Sequence, residues 1–370
     1  MPPYVAGGMR VQSGATWAMR RGKFLFRVLS GMRCDGTSFT RFAKASFPVR
    51  LKFLALLLAT ALPGLAQEPP VAKAIPVTTR DITTQLQIFL DQQLFGPGKI
   101  DGRPGEFLSK ALLRYQRAHA LPETGVLDAN IPLDSVYPVY THYTIQESDL
   151  EFIGPCPTKP EEQAKLKKLP YDSLLEFLTE RYHADPEFLQ KINPTLKLND
   201  LKPGDEIRVP NVEPFKIEEL PKQGFLPGVE EYQARVIKIS RQQKMLELYE
   251  GEALLAAVPI TPGQVGGGAV ETPAGTWKIL GIATRPTFRW DKGVLDHGKR
   301  TDTFYNLPPG PNNPVGVLWI GLNKPGIGIH GTNNPQTIGR AASHGCMRVA
   351  NWDVVRLSKM ITKGMAVVIE

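Results

Sequence analysis

Between residues 232 and 329 the chain breaks into short apolar, β-branched runs separated by polar or glycine-rich turns, and no other feature constrains its fold as much. Residues 232–240 and 244–249 alternate around a polar turn at Arg241-Gln242-Gln243, and residues 253–260 make a further run. Alternation of period two puts every second side chain on one face, so these runs read as strands with a buried side. Residues 275–281, 317–322 and 326–329 continue the series, the last delivering His330 at its end. A mainly β domain is expected here. The glycine-rich stretch 263–268 lacks the Lys-Ser/Thr ending and the strand-to-helix setting of a phosphate loop. Residues 284–313 are rich in Pro, Gly, Asp and Lys without a regular period, which predicts a loop or flap. Trp290, Phe304 and Tyr305 within it suit either packing or a grip on a ligand.

The stretch 330–348 concentrates reactive residue types, with two of the six histidines and one of the three cysteines. Beyond it, Val354, Val355, Leu357, Met360 and Ile361 fall at helical spacing, which places Cys346 just ahead of a helix. A free cysteine with a pKa of about 8.5 is only slightly ionised at neutral pH. A helix N-terminus and a neighbouring imidazole bring a thiol to roughly 3.5–7.5, and His330 is the candidate imidazole. Gly345 allows close backbone approach, so amides around Gly345 and Cys346 are candidates for holding an oxyanion. A zinc site is the competing reading, disfavoured because the Cys and His lack finger spacing and a further Cys or nearby acidic ligand. An inert buried cysteine is the other.

These residues also carry a resemblance. His330-Gly331-Thr332, Ile338-Gly339 and Ser343-His344-Gly345-Cys346-Met347-Arg348, with Thr272-Pro273-Ala274-Gly275-Thr276-Trp277 upstream, resemble the signature of the YkuD-like L,D-transpeptidase catalytic domain, over residues 231–370. The resemblance implies a β-sandwich with a short helix after the nucleophile. It implies Cys346 as the nucleophile, His330 as its base, Ser343, His344 and Gly345 as pocket and oxyanion wall, and Arg348 as a donor-peptide contact. It also implies that a backbone carbonyl orients the base, with Gly331 the candidate, and that no metal or cofactor takes part. The reaction implied is transfer of a peptidoglycan tetrapeptide stem through a thioester to an amine. Water or a protein lysine as acceptor would instead make a carboxypeptidase, an endopeptidase or an attachment enzyme, and a non-catalytic wall-binding scaffold is the remaining alternative.

Charge and the N-terminal region complete the reading. The formal charge of +8 invites a nucleic-acid partner, but ten Lys and Arg against one acid fall in residues 1–66, leaving 34 basic against 35 acidic residues beyond. Nucleic-acid binding is therefore discarded. Arg50-Leu51-Lys52, the apolar run 53–62, and Gly64 and Ala66 before Gln67 read as a secretory signal peptide, with Met32 a better start than Met1. The run is short for a membrane span, so an exported protein of the periplasm or cell wall, without a stable membrane anchor, is expected. Cys156 and Cys346 are expected to be unpaired. Residues 79–131 read as two amphipathic helices around a Gly/Pro-rich turn. With Leu86-Gln87, Ile100-Asp101-Gly102, Tyr115-Gln116-Arg117 and Thr124-Gly125-Val126-Leu127-Asp128, they resemble a three-helix peptidoglycan-binding domain. Residues 142–211, with two helices broken near Pro186, Asn193-Pro194 and the Leu201-Lys202-Pro203-Gly204-Asp205 turn, resemble an α+β LysM domain carrying a Pro-containing insert before Leu169. Residues 212–230 are expected to be a linker.

Overall fold

The structure is a computed structural model that describes residues 80–263, 271–340 and 345–370. The signal-peptide reading, most of the glycine-rich loop, and Ser343 and His344 fall outside the described residues.

The first helices are α1 (Arg80–Gln92) and α2 (Glu106–Ala118). Buried glutamines hold the turns around them. Gln87 Nε2 donates to Asp101 Oδ1 at 2.8 Å and its Oε1 accepts from Gly102 N at 2.9 Å, while Gln116 Oε1 accepts from Gly125 N at 2.8 Å. This is the physical content of the Leu-Gln, Asp-Gly and Thr-Gly motifs: a buried side-chain amide satisfies the backbone of a turn that no helix or strand can. The middle segment runs β1 (Tyr140–Thr144), α3 (Pro160–Gln163), α4 (Leu174–Arg181), α5 (Pro186–Ile192) and β2 (Glu206–Pro210). Ser173 and Asp185 cap α4 and α5 by accepting from Glu176 N and Phe188 N, and β1 pairs antiparallel with β2.

The C-terminal part contains β3 (Gly224–Phe225), β4 (Arg235–Ser240), β5 (Met245–Glu250), β6 (Ala253–Pro259) and β7 (Gly275–Thr284). There follow β8 (Phe288–Trp290), α6 (Lys292–His297), β9 (Tyr305–Leu307), β10 (Leu318–Leu322), β11 (Gly328–His330), β12 (Met347–Arg348), α7 (Asn351–Ser358) and β13 (Ala366–Ile369). The strand order is β12-β11-β10-β7-β13-β4-β5-β6. Ten-residue β7 links the two halves of this one sheet, its first half pairing with β13 and its second with β10. Just past β6, Thr261 exchanges backbone hydrogen bonds with Arg348 of β12 at 2.9 and 3.0 Å, so the row of strands curls until its two ends meet. Ile237, Leu248, Ile320, Ile329, Met347 and Val367, none more than 2% exposed, fill the interior.

One expectation changes. Residues 284–313 are not an aperiodic loop: β8 and β9 pair antiparallel, and Asp291 caps α6 through Gly293 N and Val294 N while also accepting from Thr301 N and Oγ1. Elements of three to six residues are too short for a hydrophobic period to reveal. Residues 212–230, expected as a linker, are packed in part, with Phe215, Ile217 and Leu220 buried and β3 paired with β7. The insert before Leu169 also has a seat. Leu169 N donates to Pro309 O at 2.9 Å and Asn312 Nδ2 to Pro170 O at 2.7 Å, joining it to the base of the β8–β9 excursion.

Candidate active site

Parallel pairing of β11 with β12 sets Ile329 beside Met347 and His330 beside Arg348. Side chains alternate along a strand, so Ile329 and Met347 enter the core together, while His330, Arg348 and, one position before β12, Cys346 lie on the opposite face. Trp319 of β10, paired with His330, shares that face, its indole stacked on the imidazole at 5.3 Å between centroids and 16° between planes. The sheet register thus gathers on one surface the Cys, His and Arg that the sequence singled out.

His330 is 5% exposed, and its Nδ1 lies 2.6 Å from the carbonyl oxygen of its own neighbour Gly331. That contact favours the Nδ1–H tautomer and leaves the Nε2 lone pair available. Burial lowers the imidazole pKa to about 4, the charge of Arg348 acting the same way and the Gly331 contact opposing it. The half-buried Cys346 thiol donates to Gly326 O at 3.2 Å. Burial pushes its pKa up to about 11, against a hydrogen bond from the Gly328 backbone. A thiol acidified by a helix N-terminus is therefore not what the fold builds. Strand β12 comes between, and α7 begins only at Asn351, so Cys346 sits in a sheet edge rather than in the helix dipole. Neither Cys156 nor Cys346 forms a disulfide among the described residues.

Gly345 is buried with φ +100°, a conformation that favours glycine. Its carbonyl accepts from Thr272 Oγ1 at 2.9 Å, and the same hydroxyl accepts from Gly263 N at 2.7 Å. Because a trans peptide points its C=O and N–H in opposite directions, this anchor turns the Cys346 amide away from Thr272. Thr272 was legible only as part of a strand motif, and its hold on Gly345 was not. A cavity of about 490 Å³, lined among others by Phe225, Phe288, Arg289, Trp319 and Gly326, adjoins the site, sharing Trp319 with the His330 stack and Gly326 with the thiol. A separate cavity of about 370 Å³, lined among others by His183, Phe215, Trp352 and Arg356, includes none of Cys346, His330, Gly345 or Arg348.

Fold and site together define a mainly β domain presenting a neutral thiol and a neutral imidazole on adjacent parallel strands, a class suited to acyl transfer through cysteine. Residues 234–369 match the sequence model of the L,D-transpeptidase catalytic domain, and residues 79–131 match that of a peptidoglycan-binding domain. The chain is 28% identical over 193 residues to "Putative L,D-transpeptidase YkuD" of Bacillus licheniformis, covering 52% of this chain and 91% of that protein. To the protein of the same name in Bacillus subtilis it is 45% identical over 71 residues, 19% of this chain and 43% of that one. Among solved structures, the catalytic domain of the E. faecium L,D-transpeptidase aligns at 20% identity and a TM-score of 0.30, over 37% of this chain and 98% of that one.

Among the described residues no helix is long and apolar enough to cross a membrane.

Proposed function

We propose that the protein is an L,D-transpeptidase acting on peptidoglycan, with Cys346 as nucleophile and His330 as general base. The observation that carries this reading is the placement of Cys346, His330 and Arg348 on one face of β11–β12 within the segment that matches the catalytic domain. His330 Nε2 takes the thiol proton as sulfur attacks the carbonyl preceding the terminal D-alanine of a tetrapeptide stem. With both groups neutral at rest, proton transfer accompanies attack rather than preceding it. The Cys346 amide, set by Thr272 and Gly345, faces the developing oxyanion, and Arg348 holds the donor peptide. D-alanine departs with the proton from His330, and an amine from a second stem resolves the thioester.

The pairing of β1 with β2 around α4 and α5, with α3 in the insert before them, supports a LysM-like reading of the middle segment, and two wall-binding modules would raise the local concentration of a polymeric substrate. A substrate outside the cytoplasm and the apolar run 53–62 support export to the periplasm or cell wall.

The test is intact mass spectrometry of wild type and Cys346→Ala with a disaccharide-tetrapeptide and a D-amino acid. An adduct on the wild type alone, with the D-amino acid exchanged into the stem, is the expected result. Tripeptide without exchange would move the reading to hydrolysis, and no adduct with retained sacculus binding would move it to a scaffold. Thr272→Val, which removes the hydroxyl between Gly345 and Gly263, is expected to slow adduct formation about tenfold while far-UV circular dichroism is unchanged, a loss of one oxyanion-positioning contact.

A further inference from the structure

We propose that Glu180, in the middle segment and outside the catalytic domain, is a positioning residue for His330, acting through Asn351. This rests on the reading of His330 as the base.

The path is short and buried. Gly331, whose carbonyl meets His330 Nδ1, packs directly on the Asn351 side chain: a Cβ added at Gly331, or at Gly316 across from it, would overlap Asn351 Oδ1. Asn351, at the first turn of α7, is 0% exposed. Its amide has two ends and two partners. Oδ1 accepts from Val317 N at 3.1 Å, at the start of β10, and Nδ2 donates to Glu180 Oε1 at 2.6 Å. Tyr171 donates its hydroxyl to the other carboxyl oxygen of Glu180, and both residues are buried. The Asn351 amide is nearly symmetric in shape, so the acceptor on Glu180 decides which end faces Val317 N–H. Without that acceptor the amide can turn its NH₂ toward Val317 N–H, donor against donor, and the crowded backbone of Gly316 and Gly331 must move. Gly331 O then leaves the position that fixes the His330 tautomer and ring plane. The middle segment, on this account, completes the catalytic centre as well as carrying whatever it binds.

Alkylation of Cys346 by iodoacetamide, followed by intact mass against pH, judges this without any peptidoglycan, so it stands apart from the acyl-transfer reading. Where neutral His330 takes the thiol proton as sulfur attacks, alkylation has a component that levels off to a plateau above the imidazole pKa of about 4, and the thiolate itself adds a limb rising toward pH 11. Arg348 is the charged group that acts on His330. Glu180→Leu is expected to lower the plateau tenfold or more and to leave the high-pH limb in place, since a displacement of about 1 Å can cost roughly a hundredfold. Glu180→Gln, which still accepts from Asn351, is expected to restore the plateau. Tyr171→Phe, a milder change that frees Glu180 without removing it, is expected to lower the plateau less. A folded Glu180→Leu with the wild-type plateau overturns the proposal. So does equal loss of plateau and limb in Leu and Gln variants, which would mark plain packing. Should Glu180→Leu not fold, an unchanged plateau in Tyr171→Phe overturns it.

Discussion

Replacing His330 by glutamine is expected to slow acylation of Cys346 by about 10³-fold, within the range a positioned general base contributes. Glutamine keeps polarity and approximate size but cannot take a proton near neutral pH. The acid side of the pH profile gives a sharper criterion than the rate. Burial, helped by Arg348, lowers the imidazole pKa to about 4, so His330 stays neutral as pH falls past the usual histidine value near 6.5. Wild-type acylation should therefore hold across that range and decline only near pH 4, and the glutamine variant should lack this decline. At the other end the thiol, pushed up to about 11, remains protonated throughout the physiological range. The resting pair is neutral, and no thiolate–imidazolium pair is stored for the substrate to find. Single-turnover adduct formation, quenched in acid and read by mass, measures both. A decline centred near pH 6.5 would contradict the buried, neutral base.

What the sequence made legible follows the length of its signals. Helices α1, α2, α4 and α5 and strands β4, β5, β6 and β10 have apolar periods long enough to read, and each lies within a few residues of its expected place. Strands β3 and β12, two residues each, have no period at all, yet β12 is what separates Cys346 from the helix that the sequence placed beside it. The thiol's acidity was misjudged for that reason: spacing gives proximity to a helix along the chain, while burial at a sheet edge is a tertiary fact. His330 and Cys346 were legible because glycines and a strand end mark both. Glu180 and Asn351, 171 residues apart, carry no local sign of their contact. Nor does Thr272, whose hydroxyl looks like any other threonine ahead of a strand until the fold brings the Gly345 carbonyl to it.

Arg356→Met is expected to destabilise the protein by about 3–5 kcal/mol, the usual consequence of removing one partner from a buried ion pair. Asp91 of α1 is 1% exposed. Its carboxylate receives both arms of the Arg356 guanidinium, from Nη2 at 2.8 Å and Nη1 at 3.1 Å, and lies 3.1 Å from His183 Nδ1. His183 in turn stacks on Trp352 of α7 at 4.9 Å and 17°. One cluster thus joins the first helix, the turn after α4 and the helix that follows the nucleophile. Burial alone would raise the Asp91 pKa, but Arg356 and His183 overcome it and hold the carboxyl well below the usual range. A depressed folded-state pKa stabilises above the unfolded value of 3.8, and that contribution is lost as pH falls through the folded value. The gap between wild type and Arg356→Met should then be full at neutral pH and close in acid. Removing the Asp91 carboxylate as well, in Asp91→Asn/Arg356→Met, should recover part of the loss, because the penalty at Asp91 lies in its stranded charge, while buried Asp353, 3.3 Å from Arg356 Nη2, still loses its partner. Calorimetry of the single variant should show the transition move to lower temperature. Equal stability of wild type and Arg356→Met at neutral pH would mean that Asp91 is already hydrated and that the three segments are held together by apolar packing instead.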